Sequence, residues 1–203
     1  MWIASARAPL RAQSGRAVSR TSPIPSCSVS TAAYALGTAL IASCRPAAEA
    51  IARGSNLALH CVGSGPYRES LENALGGDRW HVTDWCSGEE LAEHVAGFDI
   101  LALGYDPGEA CYFSPLKLRE GMAAGAVPVV PDLGSLADDV QQGRAGLIYD
   151  PVDPTALRQA IERLAGDAPL RAKLAAAARE AAHRHSWAAI AREVLRRSLG
   201  VPQ

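Results

Sequence analysis

The sequence predicts an α/β fold in which a parallel sheet is covered by helices on both faces. Short apolar runs alternate along the chain with stretches of helical periodicity, which is the pattern of strand–helix–strand units. The runs are apolar almost throughout, as expected for strands that are buried on both faces. The chain has 203 residues, of which 48% are hydrophobic, so it is long enough for one domain with a sizeable core.

Six strands and five intervening helices are expected before the C-terminal third. The strands are predicted at residues 33–41, 57–62, 81–85, 100–105, 127–130 and 146–149. The helices between them are predicted at residues 47–53, 66–75, 89–96, 116–124 and 136–142. No internal repeat is visible, so the alternation describes a single Rossmann-like sheet.

The C-terminal third is predicted to be helical from about residue 153. Asp153 and Pro154 mark a helix start, because Asp accepts hydrogen bonds from free amides and Pro suits the first helical position. A second start of the same kind follows at residue 167. A last helix is predicted at residues 187–199, with Trp187 in the core.

The N-terminal region differs in composition from the rest. Residues 1–30 are expected to be a disordered leader, since Pro, Ser and Arg occur there without periodicity, and residues 31–203 are expected to form the domain. No acidic residue precedes Glu49. The uncharged segment 21–44 is interrupted by prolines and a glycine, which makes it a poor membrane span.

Charge and cysteine usage exclude several classes of protein. The net charge of -1 gives no attraction to nucleic acid or to an anionic membrane, so membrane association is expected only through a partner. Five cysteines without a CxxC pair argue against a zinc site and a disulfide framework. Free thiols in a reducing cytosol, and hence a cytoplasmic protein, are the expectation.

The candidate chemistry is concentrated in residues 112–125, YFSPLKLREGMAAG. Ser114 and Pro115 open a helix at the carboxyl edge of the predicted sheet, where free amides suit a phosphate. Lys117 adds a positive charge, and Glu120 lies on the next turn, where its carboxylate can accept hydrogen bonds from vicinal hydroxyls. Phosphate and diol together outline a nucleotide. The same spacing also fits an ordinary surface ion pair.

These residues resemble the signature of glycosyltransferase family four, which reads Glu-Ala-Met-Ala-x-Gly-x-Pro-Val-Val after an acidic residue and a short loop. The Ser-Pro-Leu-Lys sequence is similar to that of one bacterial subgroup. Further segments that are similar to family motifs follow in the same order as in the family, at residues 61–66, 89–91, 98–100, 132–134, 146–154 and 185–187.

The resemblance implies the C-terminal, donor-binding half of a GT-B-type glycosyltransferase. The donor would be a nucleotide-diphosphate sugar linked to UDP, GDP or ADP. The sugar would be transferred with retention of its anomeric configuration. No cofactor and no metal ion would be needed, because backbone amides and cations replace the metal.

The resemblance also implies roles for individual residues. Lys117 would neutralise the leaving diphosphate and Glu120 would hold the ribose hydroxyls, which makes these two the catalytic residues. The turn at residues 84–87 would lie beside the base, although Trp85 is expected in the core or at its rim. The implied donor-binding positions are Gly63, Gly65, Ser114, Pro115, Leu116, Leu118 and Gly134.

Two parts of the chain depart from the family pattern. Tyr112 stands where the family often has the first of two glutamates, and Glu109 is out of register. A role for that first carboxylate is therefore unsupported. Upstream, residues 37–46 occupy the place of a Gly-rich strand end and a basic motif that also grips the diphosphate, with Arg45 as a candidate remnant.

No counterpart of the acceptor-binding domain is visible in the sequence. Sugar transfer is therefore expected only with a partner, either a separate N-terminal acceptor-binding chain or a second copy in a homo-oligomer. The alternative is a non-catalytic module, left by truncation, that binds a nucleotide or a partner. A misread or degraded gene is a third hypothesis, and the acid-free first 48 residues motivate it.

Overall fold

A computed structural model describes residues 27–32, 38–62, 79–105 and 116–200, with side chains from Cys44 onward. Within these residues the strands are β1 (Cys27–Ala32), β2 (Leu57–Val62), β3 (Trp80–Thr83), β4 (Ile100–Ala102), β5 (Val127–Pro131) and β6 (Leu147–Tyr149). The described helices are α1 (Thr38–Ala52), α2 (Gly88–Ala96), α3 (Leu116–Ala124), α4 (Leu136–Asp139), α5 (Ala156–Gly166), α6 (Ala168–Arg184) and α7 (Trp187–Ser198).

The six strands form one parallel sheet in the order β3-β2-β1-β4-β5-β6. The first described strand, β1, lies in the middle of the sheet. The next two strands run outward to β3, and β4 then lies on the other side of β1. Strand order thus reverses between β1 and β4. In open parallel sheets the crevice at such a point, outside the carboxyl ends of the strands, is where ligands bind.

The strands β4 and β5 are buried on both faces, as the apolar runs predicted. Successive strand residues point to opposite faces. Ile100 and Ala102 of β4 pack in the cluster that includes residues of α1 and α5, whereas Leu101 between them packs in the cluster that includes residues of α3 and α6. The predicted α/β fold class is confirmed.

Helix α3 has the predicted bounds and packs closely on β4. Leu118 and Met122 are 0% and 2% exposed. Gly121 lies so near Leu101 that a Cβ atom would be 2.5 Å from Leu101 Cδ2. The helix ends at Gly125, whose φ of 96° and 3.0 Å bond to the Met122 carbonyl are those of a glycine cap.

The first strand and the first helix lie earlier in the chain than predicted. A strand was expected at residues 33–41, but β1 is Cys27–Ala32 and pairs with β2 along its full length. Its first residues fall within the segment 1–30 that was assigned to the leader. Residues 38–41 belong to α1, which also contains Pro46 rather than starting after it. A short apolar run does not distinguish a strand from a buried helix, which explains the error.

Two helix boundaries also differ from the predictions. Asp153 does not cap α5; its carboxylate accepts bonds from the amide and hydroxyl of Thr155, both at 2.8 Å. The helix begins at Ala156, two residues after the predicted first position, Pro154. Helix α4 stops at Asp139, because Gln141 and Gln142 have φ angles of 54° and 53°. The helix predicted at residues 66–75 lies outside the described residues.

One prediction for the last two helices is correct and one is wrong. Asp167 caps α6 by accepting a bond from the Leu170 amide at 2.8 Å, as predicted. Trp187 was expected in the core, but it is 79% exposed. No residue of α7 is buried, so this helix contributes nothing to the core. None of the described helices is long and apolar enough to cross a membrane.

The described cysteines agree with the expectation of free thiols. Cys44, Cys61 and Cys86 form no disulfide. The Sγ atoms of Cys44 on α1 and Cys61 on β2 lie 3.2 Å apart in the core, where they contact each other as thiols.

Candidate functional site

The candidate site residues that can be located lie at the carboxyl edge of the sheet. Helix α3 follows β4, the loop with Gly134 follows β5, and the turn 84–87 follows β3. Because all six strands are parallel, these connections emerge on the same edge. The structure therefore places α3 where the sequence predicted an anion-binding helix.

Lys117 and Glu120 share one flank of α3. Residues three apart on a helix are separated by about 60° around its axis, so the two side chains leave the helix in similar directions. Leu118 and Met122 face the core instead. Lys117 is half-buried and Glu120 is exposed.

The pKa values of these two groups are shifted in opposite directions, and each shift favours the neutral form of its group. Burial lowers the pKa of Lys117 to about 8, although the charge of Glu120 opposes the shift. Although Glu120 is exposed as a residue, partial desolvation of its carboxylate raises its pKa, and the charge of Lys117 opposes that shift. An ordinary surface ion pair would stabilise both charges. Here the loss of water outweighs the mutual attraction, so the charged forms of both groups are disfavoured.

The Gly134 loop is the second predicted part of the site. Gly134 is exposed and has a φ of 54°, a conformation that side-chain-bearing residues rarely adopt. The Asp132 amide donates to the Tyr149 carbonyl at 2.9 Å, which ties the start of this loop to β6.

Tyr149 was missed by sequence reasoning, and it braces the same edge. Its hydroxyl donates to the carbonyl of Leu103 at 3.0 Å, across β5. Burial raises the pKa of Tyr149 to about 12. This bond fixes the segment that follows β4 and leads toward α3. A tyrosine at the end of a predicted strand was the available signal.

Arg119 and Asp139 were also missed. Arg119 lies on α3 between the two predicted catalytic residues, and its Nη2 donates to Asp139 Oδ1 of α4 at 3.1 Å. Asp139 is 9% exposed on its side chain. The two residues are twenty positions apart, so no helical spacing links them in the sequence.

The other predicted positions are only partly located. Gly63, Gly65, Ser114 and Pro115 lie outside the described residues. Leu116 is 52% exposed at the start of α3, whereas the side chain of Leu118 is fully buried, so only its backbone is available to a ligand.

Two further residues of interest lie outside the central site. Trp85 is 76% exposed in the turn after β3, which excludes a core role. Arg45, the candidate remnant of the diphosphate motif, pairs with Glu49 at 3.0 Å on the surface of α1.

His60 lies in a histidine cluster beside α2. Its ring is 5.1 Å from those of His81 and His94, and its Nε2 is 2.8 Å from the Thr83 hydroxyl. Burial, then the neighbouring His81 and His94, lower the pKa of His60 to about 4. In the part of the chain that the structure describes, no three His, Cys, Asp or Glu residues are placed to hold a metal ion.

Comparison with known proteins identifies the family. Residues 38–167 match the family described as Glycosyl transferases group 1. A sulfoquinovosyl transferase of Arabidopsis thaliana is 28% identical over 131 residues, which are 63% of this chain and 25% of that protein. A D-inositol 3-phosphate glycosyltransferase of Stackebrandtia nassauensis is 34% identical over 109 residues, 54% of this chain and 24% of that protein. The chain spans about a quarter of the length of these relatives.

The fold is shared with solved structures. An Anabaena protein in complex with UDP and glucose superposes with a TM-score of 0.70 at 16% identity, over 87% of this chain and 49% of that one. The structural neighbours are GT-B glycosyltransferases, in agreement with the predicted GT-B architecture. Since the family match covers more than half of the chain and includes all of α3, the chain belongs to the group 1 glycosyl transferases.

Proposed function

We propose that the chain is the donor-binding half of a glycosyltransferase and that it binds a nucleotide-diphosphate sugar at the first turn of α3. The observation that carries this proposal is the half-buried Lys117 beside Glu120. The pKa of Lys117 is lowered and that of Glu120 is raised, so that both shifts disfavour the charged form. Displaced pKa values at the ligand-binding edge of a sheet are typical of functional sites. An anionic ligand would favour the charged form of Lys117.

The proposed roles follow from the chemistry of the groups. The amides of the first turn and the Lys117 ammonium hold the diphosphate. The Glu120 carboxylate accepts hydrogen bonds from the ribose hydroxyls. When the bond from the anomeric carbon to the diphosphate oxygen breaks, Lys117 stabilises the negative charge that develops on the leaving group. Gly134 leaves room beside the donor sugar.

The proposal extends to the donor nucleotide and to the stereochemistry of transfer. UDP is the first nucleotide to test, because the Anabaena structure that shares the fold holds UDP and glucose. We propose that transfer retains the anomeric configuration and proceeds without a metal ion. Equal nucleotide affinity in the presence and absence of EDTA is the expected result for the latter.

Donor binding alone does not account for catalysis. Helix-end amides contribute up to about 2 kcal/mol, and a hydrogen bond to a charged group contributes about 1.5–3 kcal/mol. Enzymes lower their barriers by about 8 kcal/mol or more. The rest requires an acceptor held in line with the donor. We therefore propose that transfer needs an acceptor-binding domain from a separate chain or a second copy.

Calorimetric titration with UDP, GDP and ADP tests the binding proposal. We expect one of the three to bind, and Glu120→Ala to weaken its affinity at least tenfold. Glu180→Ala is the matched control, because Glu180 is an exposed glutamate that pairs with Arg184 on α6. If none of the nucleotides binds, or if both variants bind like the unaltered protein, the proposal is wrong.

A non-catalytic nucleotide-binding module is the second candidate. The observation that favours it is Tyr112 in the place where family members often have an acidic residue. The two candidates differ in donor turnover. Release of UDP from UDP-glucose by the purified chain, which Lys117→Met abolishes, would support an enzyme. Tight UDP binding without turnover, even when candidate acceptor domains are added, would support the module.

A further inference from the structure

A second charged pair lies on the side of α3 away from Lys117 and Glu120. Arg119 Nη2 donates to Asp139 Oδ1 at 3.1 Å. The Asp139 side chain is 9% exposed and that of Arg119 is 31% exposed. The pair joins the first half of α3 to α4, the short helix that follows the Gly134 loop, and so connects two parts of the candidate site.

This pair makes only one of the two hydrogen bonds available to it. Pairs of guanidinium and carboxylate are frequently bidentate. Here Arg119 Nε and Asp139 Oδ2 are both buried and have no hydrogen-bond partner among the described residues. Buried polar atoms without partners are unfavourable. A small movement that joins Nε–H to Oδ2 would satisfy both atoms at once.

Asp139 stands on a rigid support. Helix α4 begins at Leu136, which is 1% exposed, and Val140, directly after the helix, is 0% exposed. The Gln142 amide donates to the Ala137 carbonyl at 2.8 Å and closes the turn after the helix. Since α4 is held in the core at both ends and the Arg119 side chain is 31% exposed, this long side chain is the movable side of the pair.

Ligand binding on one flank of α3 is mechanically connected to the pair on the other. Lys117 and Arg119 are two residues apart and therefore leave the helix about 160° apart. Any rotation of α3 that brings Lys117 toward an anion also changes the position of Arg119 relative to Asp139.

We propose that Arg119 and Asp139 are positioning residues for the nucleotide site: a diphosphate bound at the first turn of α3 closes this pair from one hydrogen bond to two. The inference rests on the proposed function, because the nucleotide of that site is the ligand that closes the pair. Neither residue contacts the nucleotide. The second bond exists only in the bound state, so it adds to affinity and not to the stability of the free protein.

The test uses Arg119→Lys, Asp139→Asn and the double variant, with calorimetric titration of UDP, GDP and ADP and thermal unfolding without ligand. Lysine keeps the charge and one bond but lacks the second arm of the fork. We expect each single variant to weaken nucleotide binding about tenfold. The double variant should also be about tenfold weaker, rather than a hundredfold, since all three remove the same closed pair. The Tm of Arg119→Lys should stay within about 2 °C of the unaltered protein.

Arg158→Lys is the matched control, because Arg158 pairs with Glu162 at 2.7 Å and is 13% exposed, but lies on α5. It should leave nucleotide affinity unchanged. Unchanged affinity in Arg119→Lys, or effects that multiply in the double variant, would overturn the positioning role while leaving the proposed function intact. So would a Tm loss that parallels the affinity loss, which a merely structural role would give. If the unaltered protein binds none of the three nucleotides, both proposals fail together.

Discussion

Helices α3 and α7 differ in how far their apolar side chains are buried. In α3 the apolar Leu118 and Met122 are fully buried, and the charged Lys117 is half-buried with them. In α7 the large apolar side chains stay in water: Trp187 is 79% exposed and Leu195 is 59% exposed. Three charged groups of α7 pair at its surface, where Arg196 and Arg197 hydrogen-bond to Glu193.

The pKa values reflect this difference. Hydrogen bonds from Arg196 and Arg197 lower the pKa of Glu193 to about 2, so its charged form is stabilised in the protein alone. The charged forms of Lys117 and Glu120 are disfavoured, since burial lowers the pKa of Lys117 and raises that of Glu120. The comparison teaches that hydrogen bonds stabilise the charged form of Glu193 on α7, whereas burial disfavours the charged forms of Lys117 and Glu120 on α3.

The largest expected contrast is in packing. We expect Leu118→Ala to lower the free energy of unfolding by about 2–5 kcal/mol, because a fully buried leucine leaves a cavity. Leu195→Ala on α7 should lower it by less than about 0.5 kcal/mol. Urea unfolding of the two variants measures both values. Equal losses would mean that α7 packs on the domain, and the comparison between the helices would fail.

The next contrast concerns the two lysines of the chain. We expect Lys117→Met to weaken nucleotide binding by about 10- to 100-fold, because a charged hydrogen bond to the diphosphate is lost. The same change should raise the free energy of unfolding by roughly 1–2 kcal/mol, since it removes a half-buried charge whose pKa is lowered to about 8. Lys173→Met, at an exposed position on α6, should change neither quantity. A loss of stability in Lys117→Met would show that Lys117 is structural.

The pH dependence of binding sharpens the same point. Lys117 has a pKa of about 8 without ligand, and a bound diphosphate raises it, so binding takes up a proton above pH 8. We expect nucleotide affinity to fall about tenfold between pH 7 and pH 9. Lys117→Arg should give a flatter profile, because arginine stays charged over this range. An identical fall in both proteins would assign the titration to another group.

The smallest effect is expected at Glu193. Its lowered pKa means that the pair favours the folded state above the unfolded pKa, and that this contribution disappears as the pH falls toward 2. The group is on the surface, however, where water and salt screen such pairs. Glu193→Gln should therefore leave the Tm at pH 7 unchanged within error. A clear drop in Tm would show that the surface pairs of α7 support the domain.

Much of the fold could be predicted because it rests on local patterns. Strand β2 and helix α3 have the predicted bounds, since each combines an apolar run or stripe with clear end signals. The first strand was misplaced because residues 33–41 are apolar enough for either element. The pairing of β1 with β2 and β4, which are distant in the chain, decides the matter.

The candidate site shows the same division. Lys117 and Glu120 were found because a helical spacing links them, and their roles remain predictions. Arg119 and Asp139 were missed because they meet only when β5 returns beside β4. The exposure of Trp187 was also invisible, since an amphipathic helix predicts a buried face without indicating whether anything covers it.

The sequence by itself determined the α/β class, the order of most elements, the bounds of α3 and the candidate residues on it, because periodicity, caps and a family motif act over a few neighbouring residues. The tertiary structure decided where β1 lies, which charges lose water and which ionic pair braces α3. Those features depend on contacts between segments far apart in the chain. For that reason the displaced pKa values of Lys117 and Glu120, which carry the proposed function, came from the fold and not from the motif.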